Sequence, residues 1–112
     1  FLHVDECVEA VFRFMHSDFE GPVNIGSEEM ISINDFAQMA IDISGKNLTI
    51  NNIDGDEFIK KYGHKCPVGV NGRNSDNTLY KEKVGWSVSQ PLIVGMKQTY
   101  DWVNKQVEAE NG

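Results

Sequence analysis

The residue types and spacing best suited to binding chemistry lie in Asn71-Gly72-Arg73-Asn74-Ser75-Asp76-Asn77. Arg73 follows a glycine, whose missing side chain lets backbone and ligand come close, and it stands directly before a predicted helix start, where free N–H groups favour anions. A guanidinium in that setting can hold phosphate oxygens bidentately. On residue type alone, a surface arginine in a turn without a ligand is the commoner outcome, so the segment needs outside support.

Other reactive side chains are less well placed. Cys7 falls near the N-terminus of a predicted helix, where a thiol's pKa can drop, but no His or Asn stands ready as its base and packing is the favoured reading. His64-x-Cys66 supplies two metal ligands with nothing nearby to complete four, so a loop without metal is expected. Asp54-Gly55-Asp56-Glu57 lacks the alternating ligands and terminal Glu of a calcium loop and is read as a solvated acidic turn. His3 and His16 are structural or exposed, and the sequon Asn47-Leu48-Thr49 matters only in a secreted protein. There is no Gly-x-Gly-x-x-Gly after a strand, no Walker loop, no Gly-x-Ser-x-Gly elbow and no His-Glu-x-x-His. No catalytic residue and no metal site is therefore expected within the chain.

The elements that must position the arginine follow from periodicity and punctuation. Phe1–Val4 is a β-type run, and Asp5 stands as N-cap of a first helix over about residues 6–16 with Val8, Val11, Phe12 and Met15 on one apolar face. Val23-Asn24-Ile25 is a short strand candidate between Gly21-Pro22 and Gly26-Ser27. Ser32-Ile33-Asn34-Asp35 resembles a capping box and opens a second helix, whose stripe is Ile33, Phe36, Ala37, Ala40 and Ile41 and whose stop is Gly45. Leu48-Thr49-Ile50 with Ile53 alternates like a strand, and residues 54–72 form a long irregular stretch, of a length that is usually functional or mobile. Ser75 or Asp76 caps a short helix reaching about Val84, with Gly85 as its left-handed stop. Pro91 opens a final helix with Leu92, Met96, Thr99, Val103 and Val107 as its buried stripe. About four helices and a few short strands make a small α+β unit, too poor in strands for a sandwich or barrel.

The 112 residues carry ten Lys or Arg against seventeen Asp or Glu, a formal net charge of -7. That length suits a single domain over residues 1–112, able to build a core without disulfides or metal. The acidic balance excludes a nucleic-acid surface, and no apolar run is long enough to span a membrane. Two cysteines without a Cys-x-x-Cys point to a reduced, cytoplasmic compartment. Because Phe1-Leu2-His3-Val4 reads as a strand already under way, the chain is expected to be a piece of something longer.

The outside support comes from a family resemblance. Gly72-Arg73-Asn74-Ser75-Asp76-Asn77-Thr78-Leu79, followed by Lys81-Glu82-Lys83-Val84-Gly85-Trp86, resembles the corresponding stretch of the GDP-mannose 3,5-epimerase family. Phe1 to Glu9 resembles that family's strand-to-helix junction, and Pro22 to Ser27 with Glu29-Met30 its next segment. The final helix, with Gly95, Thr99, Tyr100 and Trp102, is similar to that of the wider extended short-chain dehydrogenase/reductases acting on nucleotide sugars. Nearly the whole chain takes part, residues 54–70 apart.

The resemblance implies a two-part subunit, an N-terminal doubly wound NAD-binding domain and a smaller C-terminal substrate domain, of which this chain matches only the second. The Rossmann domain, the Tyr-x-x-x-Lys pair and the epimerising Cys and Lys lie upstream, and Cys7 does not match that cysteine. By the same resemblance Arg73 holds the nucleotide diphosphate, and Gly72, Asn74 and Ser75 shape its turn. The parent would be an NAD-dependent isomerase that converts GDP-mannose to GDP-L-galactose. This chain alone would be inactive and carry no NAD, and its partners would be a GDP-hexose and the absent NAD domain, with a homo-oligomer open. Two features depart from the family: residues 55–70 form a longer insert, and Val88 stands where Gly-Trp-x-Pro is usual. The alternatives are the C-terminal part of another nucleotide-sugar 4-epimerase or dehydratase, or a stand-alone non-catalytic binding or self-associating module.

Overall fold

In the computed structural model, which describes all residues Phe1–Gly112, the chain is built of five helices and contains no strand. They are α1 (Val4–Met15), α2 (Ile33–Ser44), α3 (Gly55–Tyr62), α4 (Thr78–Val84) and α5 (Leu92–Asn111). The expected α+β class is thus corrected to a mostly helical one. The physical reason is pairing: a strand is stabilised by a neighbour's ladder, and residues 1–3, 23–25 and 48–50 lie outside any helix with no ladder beside them.

The helix ends show which local signals acted. At α2, Ser32 Oγ accepts the Asp35 N–H at 3.0 Å, and Gly45 closes the helix in the left-handed region at φ 66. Gly85 ends α4 at φ 75. Both stops agree with expectation, since only glycine enters that region without a Cβ clash. The first helix begins earlier than expected, with His3 as its N-cap in place of Asp5; His3 Nδ1 accepts the Asp5 N–H at 3.2 Å. Asn77 occupies the N-cap position of α4 but makes no side-chain cap bond; of the two expected residues, it is Asp76 whose side chain accepts the Thr78 N–H. The acidic turn at Asp54–Glu57 is in fact the start of α3, with Asp56 and Glu57 in the first turn, Lys60 and Lys61 in the last and Gly63 as stop. That charge order complements the helix dipole, which is why an irregular-looking stretch winds up.

Burial is sparse. Ala10, Asn77, Tyr80 and Gly95 are the buried residues. Tyr80 Oη donates to the Ala10 carbonyl at 2.8 Å, tying α4 to α1, and the Tyr80 ring meets Trp86 edge-on with centroids 6.2 Å apart. Gly95 lets α5 approach the N-terminal segment, because a Cβ there would lie 2.8 Å from His3 Cβ. α2 packs on α5, and Phe1 stacks on Phe36 at 4.0 Å.

The apolar stripes are only partly used. On α5, Val103 and Val107, expected inside, are exposed, so the helix packs by its first half alone. On α1, Val8, Val11, Phe12 and Met15 all face solvent, Met15 at 74% exposure. The radius of gyration is 18.1 Å, against about 13 Å for a compact domain of ~100 residues.

Candidate functional site

Arg73 lies in the segment that leads into α4, and its place is set by a strap formed by residues 26–30. Three successive carbonyls of the strap accept hydrogen bonds from this segment: Asn77 Nδ2 donates to Gly26 O at 2.6 Å, Ser75 N to Ser27 O at 3.0 Å, and Asn74 Nδ2 to Glu28 O at 3.0 Å. Two glycines permit the approach. A Cβ on Gly26 would sit 2.7 Å from Ser75 Cβ, and one on Gly72 would sit 3.0 Å from Met30 Sδ. Thus Gly72 makes room for a methionine of the strap.

Charges fasten the same junction. Lys81 Nζ meets Glu28 Oε1 at 2.8 Å, and Glu29 Oε2 accepts the Leu92 N–H at 2.8 Å, capping α5 with negative charge where the helix dipole is positive. The strap therefore joins the Arg73 segment to α4 through one glutamate and to α5 through the next.

Arg73 itself is exposed and takes part in none of the chain's ion pairs. The other arginine, Arg13, is engaged by Glu9 at 2.7 Å and lies over the Trp86 ring at 5.3 Å. Of the two guanidiniums, only that of Arg73 is uncommitted.

One part of the expected chemistry is corrected. Arg73 is not directly before a helix: α4 begins at Thr78, and its first N–H is already bonded to Asp76 Oδ1 at 3.0 Å. Thr78 Oγ1 donates to the same oxygen at 2.6 Å, and these two bonds hold the Asp76 carboxyl below its ordinary range. The helix start is thus filled by the chain's own anion, and an external anion would rest on the guanidinium.

The remaining candidates do not gather around it. Cys7 is exposed on α1, and Cys66 has only a long contact of 3.8 Å to the Pro67 carbonyl. His16 Nδ1 contacts the Phe12 carbonyl and His64 Nδ1 the Lys65 carbonyl. No three His, Cys, Asp or Glu side chains converge as metal ligands. An open cleft of about 770 Å³ lined by Glu9, Arg13, His16 and Lys83 excludes Arg73. So does a cavity of about 160 Å³ between Phe1, His3, Phe36 and Thr99. Glu28 was not singled out in the sequence, and Asn77 and Glu29 entered only within longer runs with no role of their own, because bonding backbone groups and ends of helices leaves no motif.

No protein-family model matches the chain. Curated proteins do. GDP-mannose 3,5-epimerase of Arabidopsis thaliana is 46% identical over 110 residues, 98% of this chain. The chain is related to the GDP-mannose 3,5-epimerases. GDP-mannose 3,5-epimerase 1 of Oryza sativa subsp. indica gives the same identity over the same length. GDP-L-fucose synthase 1 of Arabidopsis thaliana is 31% identical over 111 residues. The likeness to the GDP-mannose 3,5-epimerases runs through residues 54–70, which the motifs had left out. The chain spans about a quarter of the length of these relatives, 26% of the first and 30% of the synthase. No helix is long and apolar enough to cross a membrane.

Proposed function

We propose that residues 1–112 form the C-terminal, substrate-binding portion of a cytoplasmic nucleotide-sugar epimerase that converts GDP-mannose to GDP-L-galactose. In this reading Arg73 holds the diphosphate. The observation that carries it is the uncommitted guanidinium of Arg73 on a segment bonded three times to the strap, within a chain 46% identical to GDP-mannose 3,5-epimerase. A planar fork can grip two phosphate oxygens at once. In an acidic chain, a single placed cation selects one anion site without making the whole surface attractive to anions.

The parent's hydride chemistry would require NAD, and the residues here do not fit that group. A dinucleotide rests on a glycine-rich turn between a parallel strand and a helix, and this chain has neither the turn nor a strand. The oxidation and the inversions at the sugar are therefore assigned to the rest of the enzyme, and this chain's share is to bind and orient. The solvent-facing stripe of α1, from Val4 to Met15, supplies an apolar face for that remainder.

The test is to assay the protein extended upstream of Phe1 with GDP-mannose and NAD and to separate the products by chromatography. A new GDP-hexose is expected, and its absence would contradict the substrate assignment. A 4-epimerase or dehydratase reading has less support, since the GDP-mannose 3,5-epimerases are the relatives with the higher identity. A second reading, a self-associating module, is favoured by the exposed α1 stripe and is tested by solution mass.

A further inference from the structure

We propose that Asn77 is a positioning residue for Arg73, fixing where the guanidinium is presented; this rests on the diphosphate reading of Arg73. Asn77 is 3% exposed, the one buried polar residue of the chain. Its amide is used at both ends: Oδ1 accepts Ser75 Oγ–H at 2.5 Å and Nδ2 donates to Gly26 O at 2.6 Å. The Gly26 carbonyl can only accept, so the amide's orientation is dictated by its partners.

The consequence for Arg73 follows from the register. Positions 74, 75 and 77 bond to 28, 27 and 26 in turn, so the segment runs antiparallel to the strap. The bond at 74 is exposed, where water can replace it, whereas the bond at 77 is part-buried and its donor belongs to a buried residue. A hydrogen bond that water replaces less readily is the costlier one to lose. Asn77 therefore locks the end of the register, and its link to Ser75 carries that lock to within two residues of Arg73. With the lock removed, the guanidinium samples more positions, and a ligand must order it on binding.

The experiment measures GDP affinity of the 112-residue chain, by calorimetry, for the native protein, Asn77→Asp, Ser75→Ala and Arg73→Ala, at a temperature where circular dichroism shows each folded. Asn77→Asp keeps the acceptor for Ser75 and replaces the donor to Gly26 with an oxygen. It is expected to weaken GDP binding about tenfold, the equivalent of one lost part-buried hydrogen bond. In an Arg73→Ala background the same change should have no further effect, because the two act through one contact. Ser44→Ala, which removes hydroxyl bonds at the C-terminal end of α2 and none with the strap or the segment, serves as a control for destabilisation alone and should leave GDP affinity unchanged.

Folded Asn77→Asp binding GDP like the native chain, while Arg73→Ala binds more weakly, would overturn the positioning role and leave the arginine's role standing. Additive losses in the double variant would also overturn it. Arg73→Ala with native affinity would sink the diphosphate reading and the present inference together. Should Asn77→Asp not fold, Ser75→Ala decides: it cuts only the Ser75 link, with about a threefold weakening expected and an unchanged affinity contradicting the proposal.

Discussion

Tyr80 Oη donates to the Ala10 carbonyl at 2.8 Å, across seventy positions of sequence, and both residues are buried. The contact joins the helix that follows the Arg73 segment to the first helix of the chain. Removing the hydroxyl in Tyr80→Phe should cost about 1 kcal/mol, and removing the ring in Tyr80→Ala about 3 kcal/mol or more, measured by urea unfolding. Burial pushes the Tyr80 hydroxyl up from its ordinary 10.0, so the folded chain holds this proton more tightly than the unfolded one. That contribution is complete below pH 10 and is lost as pH rises through the higher folded value; Tyr80→Phe should lose less stability than the native chain over that alkaline range.

Asp76 titrates in the opposite sense. The Thr78 hydroxyl and N–H lower its carboxyl from 3.8, so its contribution is present above that value and disappears as pH falls through the lower folded one. Urea midpoints taken from pH 6 down to pH 2 should show Asp76→Asn less stable than the native chain at the upper end, with the gap closing on acidification. A gap that stays constant would mean that the carboxylate is not what starts α4.

The α1 stripe bears on the state of the chain in solution. Val8, Phe12 and Met15 are 61%, 57% and 74% exposed, and apolar patches of that kind associate. Light scattering on the isolated chain should give a mass above the 12.6 kDa of one copy, and Val8→Glu with Met15→Glu should return it to a monomer. A native chain that is monomeric at high concentration would count against the stripe as a contact surface.

Much of this architecture is legible in residue order, and the failures share a cause. Ser32, Gly45 and Gly85 act through bonds to their own neighbours, so their positions in the chain suffice to identify them. α3 carried comparable signals in Asp56, Glu57, Lys60, Lys61 and Gly63, obscured by the glycines around it. The strands failed because a strand is a property of two segments, and alternation in Leu48-Thr49-Ile50 says nothing about a partner. Periodicity also placed Val8, Val11, Phe12 and Met15 on one face of α1 without telling what covers that face. At the site, Arg73 was recognisable by type and by family resemblance. The strap was part of that resemblance, but its bonding to the Arg73 segment was not legible, because its acceptors are main-chain carbonyls at Gly26, Ser27 and Glu28, which any residue possesses.

The most direct test of the central claim is the GDP dissociation constant of the chain with and without the Arg73 guanidinium, measured at fixed salt. Loss of one charged, bidentate contact in Arg73→Ala should weaken binding by about 10- to 100-fold, with Arg73→Lys in between because an ammonium cannot form the fork. Equal affinity in the native chain and Arg73→Ala would contradict the assignment of the diphosphate to this residue.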